Sequence, residues 1–406
     1  MKRTNRMASS SQSAALAGIK VLDLSRILAG PTAAQALGDL GADVVKVERP
    51  GEGDDTRKWG PPYVLGASGE ETEESAYYLA ANRNKRSIAI DIGSGSGQDL
   101  VHKLLAQADV LLENYKVGGL SKYGLAYEQI KARYPRLIYC SVTGFGQTGP
   151  YASRPGYDFL IQGMGGIMSL TGEPKGEPMK VGVGIADVMT GMYATVGILA
   201  ALRHRERTGE GQHIDISLLD TQVSWLANAG TNYLTDRQLP QRLGNGHPNI
   251  VPYQVFSTAD APMILAVGND SQFRRFCEVA GMAQLASDER YATNPMRVRN
   301  RDVLCELVDS VLQKRARSQW LRELDAVGVP SGPVNNLEEV FADPHVKARG
   351  AELSMPCEWA DGGEIRLLAN PLRMSATPPT YRRPPPRLNE HAAEVLADWL
   401  GKHETN

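Results

Sequence analysis

The stretch Lys20-Val-Leu-Asp-Leu-Ser-Arg-Ile-Leu-Ala-Gly-Pro-Thr-Ala-Ala-Gln-Ala-Leu-Gly-Asp-Leu-Gly-Ala-Asp-Val-Val-Lys-Val47 decides the fold class. Lys20 to Leu24, with Val21, Leu22 and Leu24 apolar, reads as a strand. Pro31 to Leu40 follows with helical spacing and a proline in the first turn, where its missing N–H breaks no helical bond, and Asp43 to Val47 reads as the next strand. Strand, helix and strand in so short a span imply a right-handed crossover and a parallel sheet. The alternation continues downstream. Leu100 to Gln107 and Tyr127 to Arg133 have helical spacing, while Val110 to Glu113 and Leu137 to Ser141 are strand-like. An α/β fold with helices on both faces of the sheet is expected.

After Arg154 the texture changes. Glycines crowd Gly163 to Gly184, an apolar helix is expected from about Asp187 to Arg203, and a charged hinge, Arg203 to Gly211, leads to strand-like His213 to Ser217. From about Gly230 to Pro330 the reading is a looser α+β mixture, with Gly328-Val-Pro-Ser-Gly-Pro-Val334 as a turn-rich connector. Across 406 residues, 44 Lys and Arg oppose 46 Asp and Glu, for a net charge of −2, and 42 % of the residues are apolar. So balanced a charge argues against a nucleic-acid partner, which needs clustered positive charge. The longest apolar stretch, Met192 to Leu202, falls short of the roughly 18 to 20 residues that span a bilayer, so no membrane partner is expected. Met1 to Gln12 is basic and Ser-rich with no apolar core behind it; it could pass for a weak organelle-targeting presequence but reads first as a flexible leader, and reduced thiols in a cytoplasmic setting are the default reading of the cysteines. Cys140, Cys277, Cys305 and Cys357 lie far apart with no CxxC, and the seven histidines show no paired metal spacing, so no metal site is expected.

The local motifs are ambiguous taken singly. Gly93-Ser-Gly-Ser-Gly97 lacks the Gly-Lys-Ser/Thr ending of a phosphate loop and reads as a flexible turn before a helix; Gly163-Met-Gly-Gly166 fails the same test. A nucleotide-binding oxidoreductase therefore has little local support, and no GxSxG elbow marks a hydrolase serine. His204 and His213 read as surface residues, and His247 as a packed loop residue that could also face a site. Asp187, where a glycine-rich stretch becomes a helix, reads as an N-cap on local grounds, although Gly182 and Gly184 let other groups approach it. Arg49 ends a parallel strand at its carboxyl edge, where open α/β sheets bind ligands, and is either solvated or anion-binding. Asn82-Arg-Asn-Lys-Arg-Ser87 is either a solvated turn or a neutraliser of a phosphate-bearing ligand.

Several stretches together resemble the class III CoA-transferase family. They are Leu22-Asp-Leu-Ser-Arg-Ile-Leu-Ala-Gly-Pro31, Gly38-Asp-Leu-Gly-Ala-Asp-Val-Val-Lys-Val-Glu-Arg-Pro-Gly51, Asn82-Arg-Asn-Lys-Arg-Ser-Ile88, Glu113-Asn-Tyr115, Thr143-Gly-Phe-Gly-Gln-Thr-Gly-Pro150, Arg207-Thr-Gly-Glu-Gly-Gln212 and the Gly328 connector, in family order from about residue 17. The resemblance implies a Rossmann-like large domain with a parallel sheet, a smaller α+β domain, and two chains threaded through each other as an interlocked homodimer. The corresponding layout is a leader over 1–16, the large CoA-binding domain over 17–205, a linker over 206–229, the small domain over 230–330, and a linker and return to the large domain over 331–406.

The resemblance also reverses the local reading of Asp187. The family nucleophile, an aspartate just before a helix, lands on it in Val183-Gly-Ile-Ala-Asp-Val-Met-Thr-Gly191, implying covalent aspartyl anhydride and aspartyl-CoA thioester intermediates. No tightly bound cofactor is implied; coenzyme A and acyl-CoA are substrates. Residue by residue, the implied CoA contacts are Leu28, Ala29, Arg49, Ile90, Gly93, Asn114, Tyr115, Lys116, Lys122 and Tyr157. Leu28 stands where the family often has a polar residue, and Gly93 where some members have a lysine. Asn389, in Pro386-Arg-Leu-Asn-Glu-His391, replaces a family glycine, and asparagine tolerates left-handed geometry better than most residues.

The same fold hosts α-methylacyl-CoA racemases, whose catalytic histidine would fall on Tyr157 in Gly156-Tyr157-Asp158. Tyrosine, with an ordinary pKa near 10, is a poor base for neutral pH. An idle acyl-CoA-binding protein is disfavoured by the presence of Asp187. The glycine-run loop of formyl-CoA/oxalate transferases is missing. Instead Leu243-Gly-Asn-Gly-His-Pro-Asn-Ile-Val-Pro-Tyr253 and Gly51-Glu-Gly-Asp-Asp-Thr-Arg-Lys-Trp-Gly-Pro-Pro62 resemble the succinyl-CoA:glutarate branch, implying succinyl-CoA as donor and a dicarboxylate or similar dianion as acceptor. Arg57, Trp59 and His247 are the candidates for holding the acceptor.

Overall fold

The computed structural model of the chain describes residues 14–401. The leader expected over 1–16 lies almost entirely outside them; at its end Leu16 is buried and its N–H donates to the Leu40 carbonyl at 2.9 Å. In chain order the first strands are β1 (Lys20–Asp23), β2 (Asp43–Glu48), β3 (Tyr63–Leu65), β4 (Glu71–Ser75), β5 (Lys85–Ala89), β6 (Val110–Glu113), β7 (Ile138–Thr143) and β8 (His213–Ser217). Six of them form one sheet in the order β5-β2-β1-β6-β7-β8 with every pairing parallel, while β3 and β4 make a separate antiparallel pair. All six residues of β7 are buried, Ser141 and Thr143 included, so the strand shows no alternation of buried and exposed positions.

Side chains on the two faces of the sheet feed two cores. Val21, Val110 and Ile138 pack with Ala33 and Leu37 of the helix Ala29–Asp39 and with Ala194 and Ile198 of the helix Ile185–Thr208. Leu22, Val45 and Leu111 face the other way, onto Val101 and Leu104 of the helix Gly95–Leu105 and Val395 and Trp399 of the helix Ala392–Leu400. Adjacent residues of one strand thus enter opposite cores, as the period of two requires. The helix Ile185–Thr208 is long and apolar enough to cross a membrane by length and composition, and half of its most apolar window is buried in the fold. It stops at Gly209, which takes the left-handed φ of 81° that a C-cap favours.

The chain divides into two compact units. The first holds the six-stranded sheet and runs to Gly165, resumes over Gly182–Trp225 and again from Lys347. The second comprises Gly166–Val181 and Leu226–Val346. Its antiparallel sheet, ordered β11-β10-β9 from β9 (Tyr253–Phe256), β10 (Met263–Ala266) and β11 (Ser331–Pro333), packs with its helices around Phe273, Phe276, Leu304, Val308, Trp320 and Leu324. A hairpin of β12 (Glu352–Pro356) and β13 (Glu364–Leu368) belongs to the first unit.

Three boundaries differ from those expected. Residues 166–181 belong with the second unit, because Gly244 N–H donates to the Gly172 carbonyl and Arg242 donates to the carbonyls of Glu173 and Gly176. The span 206–229 is no linker, since β8 within it is the edge strand of the main sheet. The return to the first unit comes at Lys347, after β11 has completed the small sheet. Asn389 adopts φ 62°, the left-handed region expected of it, and its amide oxygen also accepts the Ala89 N–H at 2.8 Å, which ties the turn to β5.

Candidate active site

The order of the main sheet reverses direction at β1, with β2 on one side and β6 on the other. The segments leaving the carboxyl ends of β1 and β6 therefore diverge and leave a crevice. They are tied to each other by Asn114, whose side chain accepts the Arg26 N–H at 2.9 Å and donates to the Arg26 carbonyl at 2.7 Å. Ile27 is held at φ 73°, strained for a β-branched residue, with its N–H on the Asp54 carboxylate at 3.2 Å.

A cavity of about 560 Å³ opens there. Arg26, Ile27 and Ala29 line it from β1, Arg49 from β2, Asn114 to Val117 and Lys122 from β6, Thr143 and Gly144 from β7, Arg154 to Tyr157 from the following loop, and Asp187 from its own helix. Gly144 and Gly156 let these walls meet: a Cβ on Gly144 would lie 2.6 Å from the Gly156 Cα. A smaller cavity of about 170 Å³ is lined by Ile90, Gly93, Glu52 and Asp54, and shares Arg26, Arg49, Tyr115 and Tyr123 with the first. Nine of the ten expected CoA contacts thus line one cavity or both. The tenth, Leu28, packs instead against the Gly184 backbone, where a Cβ would come within 3.1 Å of its side chain.

Asp187 is 7 % exposed and is the third residue of its helix. The helix is capped by Gly184, and Asp158 supplies the missing acceptor, taking the Ala186 N–H at 2.8 Å on one oxygen and the Gln162 amide at 2.8 Å on the other. The locally favoured N-cap role of Asp187 is therefore not the one it has. Its carboxyl accepts no hydrogen bond and pairs with no cation among the described residues, and burial, reinforced by the Asp158 charge, pushes its pKa up to about 7. One turn further on, Gly191 allows the helix to touch its neighbour, since a Cβ there would lie 2.6 Å from the Ala29 carbonyl. This contact sets Asp187 beside the amino end of the Ala29–Asp39 helix.

Five cations, Arg26, Arg49, Lys116, Lys122 and Arg154, surround the cavity. Arg49 is paired with Glu52 at 2.7 Å, but both side chains are largely exposed, so the pair is exchangeable. Arg26 donates to Asp55 at 2.8 Å and lies 5.8 Å from the Tyr115 ring. Arg154 stacks over Tyr151 at 4.6 Å and has no carboxylate partner among the described residues. Neither arginine was singled out in the sequence, although Arg26 lies inside the Leu22–Pro31 motif and Arg154 directly precedes Pro155-Gly-Tyr-Asp158. Tyr77 was missed outright. Its pKa is raised by burial and then by Asp187 and Asp158, which places its phenol near both carboxylates. Trp59 meets the Tyr77 ring edge-on at 5.1 Å, which brings that candidate toward Asp187.

Arg57 has a different role from the one expected. It is 4 % exposed and donates to Glu48 at 2.9 and 2.7 Å, to Glu74 at 2.6 Å, to the Tyr78 hydroxyl at 2.6 Å and to the Pro386 carbonyl at 3.1 Å. No donor is left for a substrate carboxylate. His247 lies in the second unit and is not among the residues lining this cavity; its Nδ1 accepts the Asn249 N–H at 3.1 Å and its ring packs on Tyr253. The Asn82–Ser87 cations are held within the fold, and none of them lines the cavity beside Asp187. Arg83 pairs with Asp39 at 2.5 Å, Lys85 with Asp23 at 3.1 Å and Arg86 with Asp43 at 2.6 Å, all three cations buried.

The family model described as CoA-transferase family III matches residues 16–392. A succinate–glutarate CoA-transferase of Agrobacterium fabrum is 53 % identical over 94 % of this chain and 95 % of its own. The succinyl-CoA:glutarate CoA-transferase of Homo sapiens is 43 % identical over 95 % of this chain and 86 % of its own. Among solved structures, a CAIB/BAIF family protein from Brucella suis superposes with a TM-score of 0.83 at 50 % identity, covering 96 % of this chain and 100 % of that one. A mixed α/β fold, a ligand crevice at the sheet's switch point and near-complete matches of this kind agree, and the chain belongs to CoA-transferase family III and is a CoA-transferase.

Proposed function

We propose that this enzyme moves CoA from succinyl-CoA to a free dicarboxylate by covalent catalysis on Asp187. The observation that carries the reading is a buried carboxyl group without a partner, facing a cavity ringed by five cations. The Asp187 carboxylate attacks the thioester carbonyl of the donor, the C–S bond breaks, and CoA thiolate leaves a mixed succinyl–aspartyl anhydride. The thiolate then attacks the aspartyl carbonyl, expelling succinate and leaving an aspartyl-CoA thioester. The acceptor carboxylate attacks that thioester, again releasing thiolate and forming a new anhydride. Thiolate attack on the acceptor's carbonyl yields the new acyl-CoA and regenerates the Asp187 carboxylate. Each step exchanges acyl groups of similar activation, so little of the donor's energy is lost. Both intermediates hydrolyse, and the burial of Asp187 limits water there.

The cations fit the phosphates of CoA. Arg49 and Tyr115, shared by both cavities, would mark where the CoA chain passes from one to the other. The donor and acceptor classes are supported by the names of the glutarate-using relatives and by a succinyl-CoA:mesaconate CoA-transferase of Haloarcula hispanica, 38 % identical over 94 % of this chain. With Arg57 committed to the fold, Trp59 and Tyr77 are the nearer candidates for contacting the acceptor. A homodimer is supported by the apolar side chains that the first unit leaves exposed around its central helices, including Phe159, Leu160, Tyr193, Val196 and Val223.

Incubation with succinyl-CoA, trapping with hydroxylamine and peptide mapping test the reading. The expected label is on Asp187; a label elsewhere, or none during turnover, overturns it. A panel of free acids tests the acceptor class, which fails if monocarboxylates are turned over as well as dicarboxylates.

A further inference from the structure

Behind the Tyr115–Lys116 wall of the large cavity lies a buried acid that the mechanism above does not use. Glu113 ends β6, and strand register sets it opposite Ser141 on β7, with His213 and Asp215 next on β8. Glu113 is 4 % exposed, and no cation pairs with it among the described residues. One carboxyl oxygen accepts the Tyr115 N–H at 2.8 Å, and the Ser141 hydroxyl faces the carboxyl. Ser141 Oγ in turn shares a 2.9 Å hydrogen bond with His213 Nε2, and the imidazole, half-buried, stacks on Tyr127 with ring centroids 4.6 Å apart. These side chains, with Lys116 and Gln147, enclose a small cavity of about 50 Å³.

A carboxylate held in such a place without a cation is costly, and the cost falls if the group keeps its proton. Burial, opposed by Ser141 and the Tyr115 N–H and reinforced by Asp215, pushes the Glu113 pKa up to about 7. Tyr139 on β7 turns its hydroxyl away, to the Leu125 carbonyl at 3.0 Å, and Asp215 is occupied by the Gln147 N–H at 2.9 Å.

We propose that Glu113 is a positioning residue for CoA: as a neutral acid it holds the Tyr115–Lys116 turn in the shape that lines the cavity, and it exchanges its proton with solvent through Ser141 and His213. The inference rests on CoA occupying that cavity. The proton passes from Glu113 to Ser141 as Ser141 gives its own to His213 Nε2, and the imidazole releases its Nδ1 proton to water. The phosphates of CoA bring negative charge to the wall that Glu113 supports, so binding favours the protonated acid. By reciprocity, protonation favours binding.

The experiment measures CoA binding by calorimetry from pH 6 to 9 in buffers of different ionisation enthalpy. It is done on the Asp187→Asn background, so that Asp187 contributes no proton. Proton uptake on binding is expected near pH 7.5, with affinity falling about fivefold between pH 7 and 8.5, the lower end of ordinary coupling between sites. In Asp187→Asn/Glu113→Gln the uptake and the fall in affinity should shrink to what the CoA phosphate alone contributes, which is common to both proteins, while CoA still binds. Ser141→Ala, which removes a group that favours the ionised acid, should move the fall in affinity to higher pH. Uptake and pH slope unchanged by Glu113→Gln, or a midpoint unmoved by Ser141→Ala, would overturn the proposal. CoA binding indifferent to Arg49→Ala would instead overturn the placement of CoA, and the inference with it.

Discussion

Two sets of buried charges sit within the first unit, and they are built on opposite principles. Around β1, β2 and β5, each buried cation faces a carboxylate: Lys46 and Asp54 at 2.8 Å, Arg57 with Glu48 at 2.7 Å and Glu74 at 2.6 Å, and Lys85 with Asp23 at 3.1 Å. At the carboxyl edge of the sheet, Asp187 and Glu113 are nearly as buried and pair with no cation. The first set responds to pairing: the Asp54 carboxyl is pulled down to about 2, chiefly by Lys46 acting against burial. The second responds to burial, and both acids are pushed up to about 7. Paired charges hold the loops in place, whereas unpaired acids store the free energy that makes them reactive or responsive.

The largest test of this contrast is Asp187→Asn. Transfer should fall by about four orders of magnitude, ~5.5 kcal/mol in the barrier, read by a coupled assay. If the acid is strained by burial, the same variant should be more stable than the wild type at pH 8. The sign follows from linkage: the folded state holds the Asp187 proton up to about pH 7 while the unfolded chain releases it near 4. Wild-type stability therefore drops between those values, and the advantage of the variant should vanish below pH 4 in chemical denaturation. A variant less stable at pH 8 would break the comparison.

Arg57→Met makes the opposite test. Removing the cation strands Glu48 and Glu74 in the interior, and unfolding free energy should fall by about 3–5 kcal/mol, measured by urea denaturation. The kcat/KM of the folded fraction should change little, as Arg57 has no donor free for substrate. A selective loss of affinity for the acceptor would return Arg57 to the substrate site.

Arg49→Ala concerns an exposed, exchangeable pair. The KM for acyl-CoA should rise about tenfold, ~1.4 kcal/mol, with kcat nearly unchanged and little effect on stability. The smallest effect is expected from Asp158→Asn. The kcat/KM profile of the wild type should rise with pH through about 7 as Asp187 ionises. Without the Asp158 charge, that rise should move to lower pH. Movement to higher pH would mean that the cap at Ala186, not charge, is the main contribution of Asp158.

The parallel sheet was legible because short runs rich in β-branched and other apolar residues recur between helical patterns; Asp43–Val47 and Leu137–Ser141 fall within or overlap β2 and β7. The ends of the second unit were not, because residues 166–181 and 226–246 are joined by a backbone hydrogen bond and by Arg242 contacts that leave no periodic trace. The motifs that resembled the family led to nine of ten residues on the two cavities. Arg57 was misjudged because an arginine in a Gly- and Pro-rich stretch looks free until its partners, Glu48, Glu74 and the distant Pro386, are known. Tyr77 carried no signal, since a tyrosine at the start of a short helix has many ordinary uses.

By itself the order of residues determined the elements, the parallel sheet and the one aspartate at the head of a long helix, since periodicity and turn chemistry act over a few neighbouring residues. Only the tertiary structure decided which charges are satisfied. That Asp158 takes the cap and leaves Asp187 bare, that Arg57 is spent on the fold, and that Glu113 lies buried behind the Tyr115–Lys116 wall of the cavity all depend on groups remote in the chain meeting where water is excluded. There the presence or absence of one partner sets whether a charge stabilises the fold or can be put to chemical use.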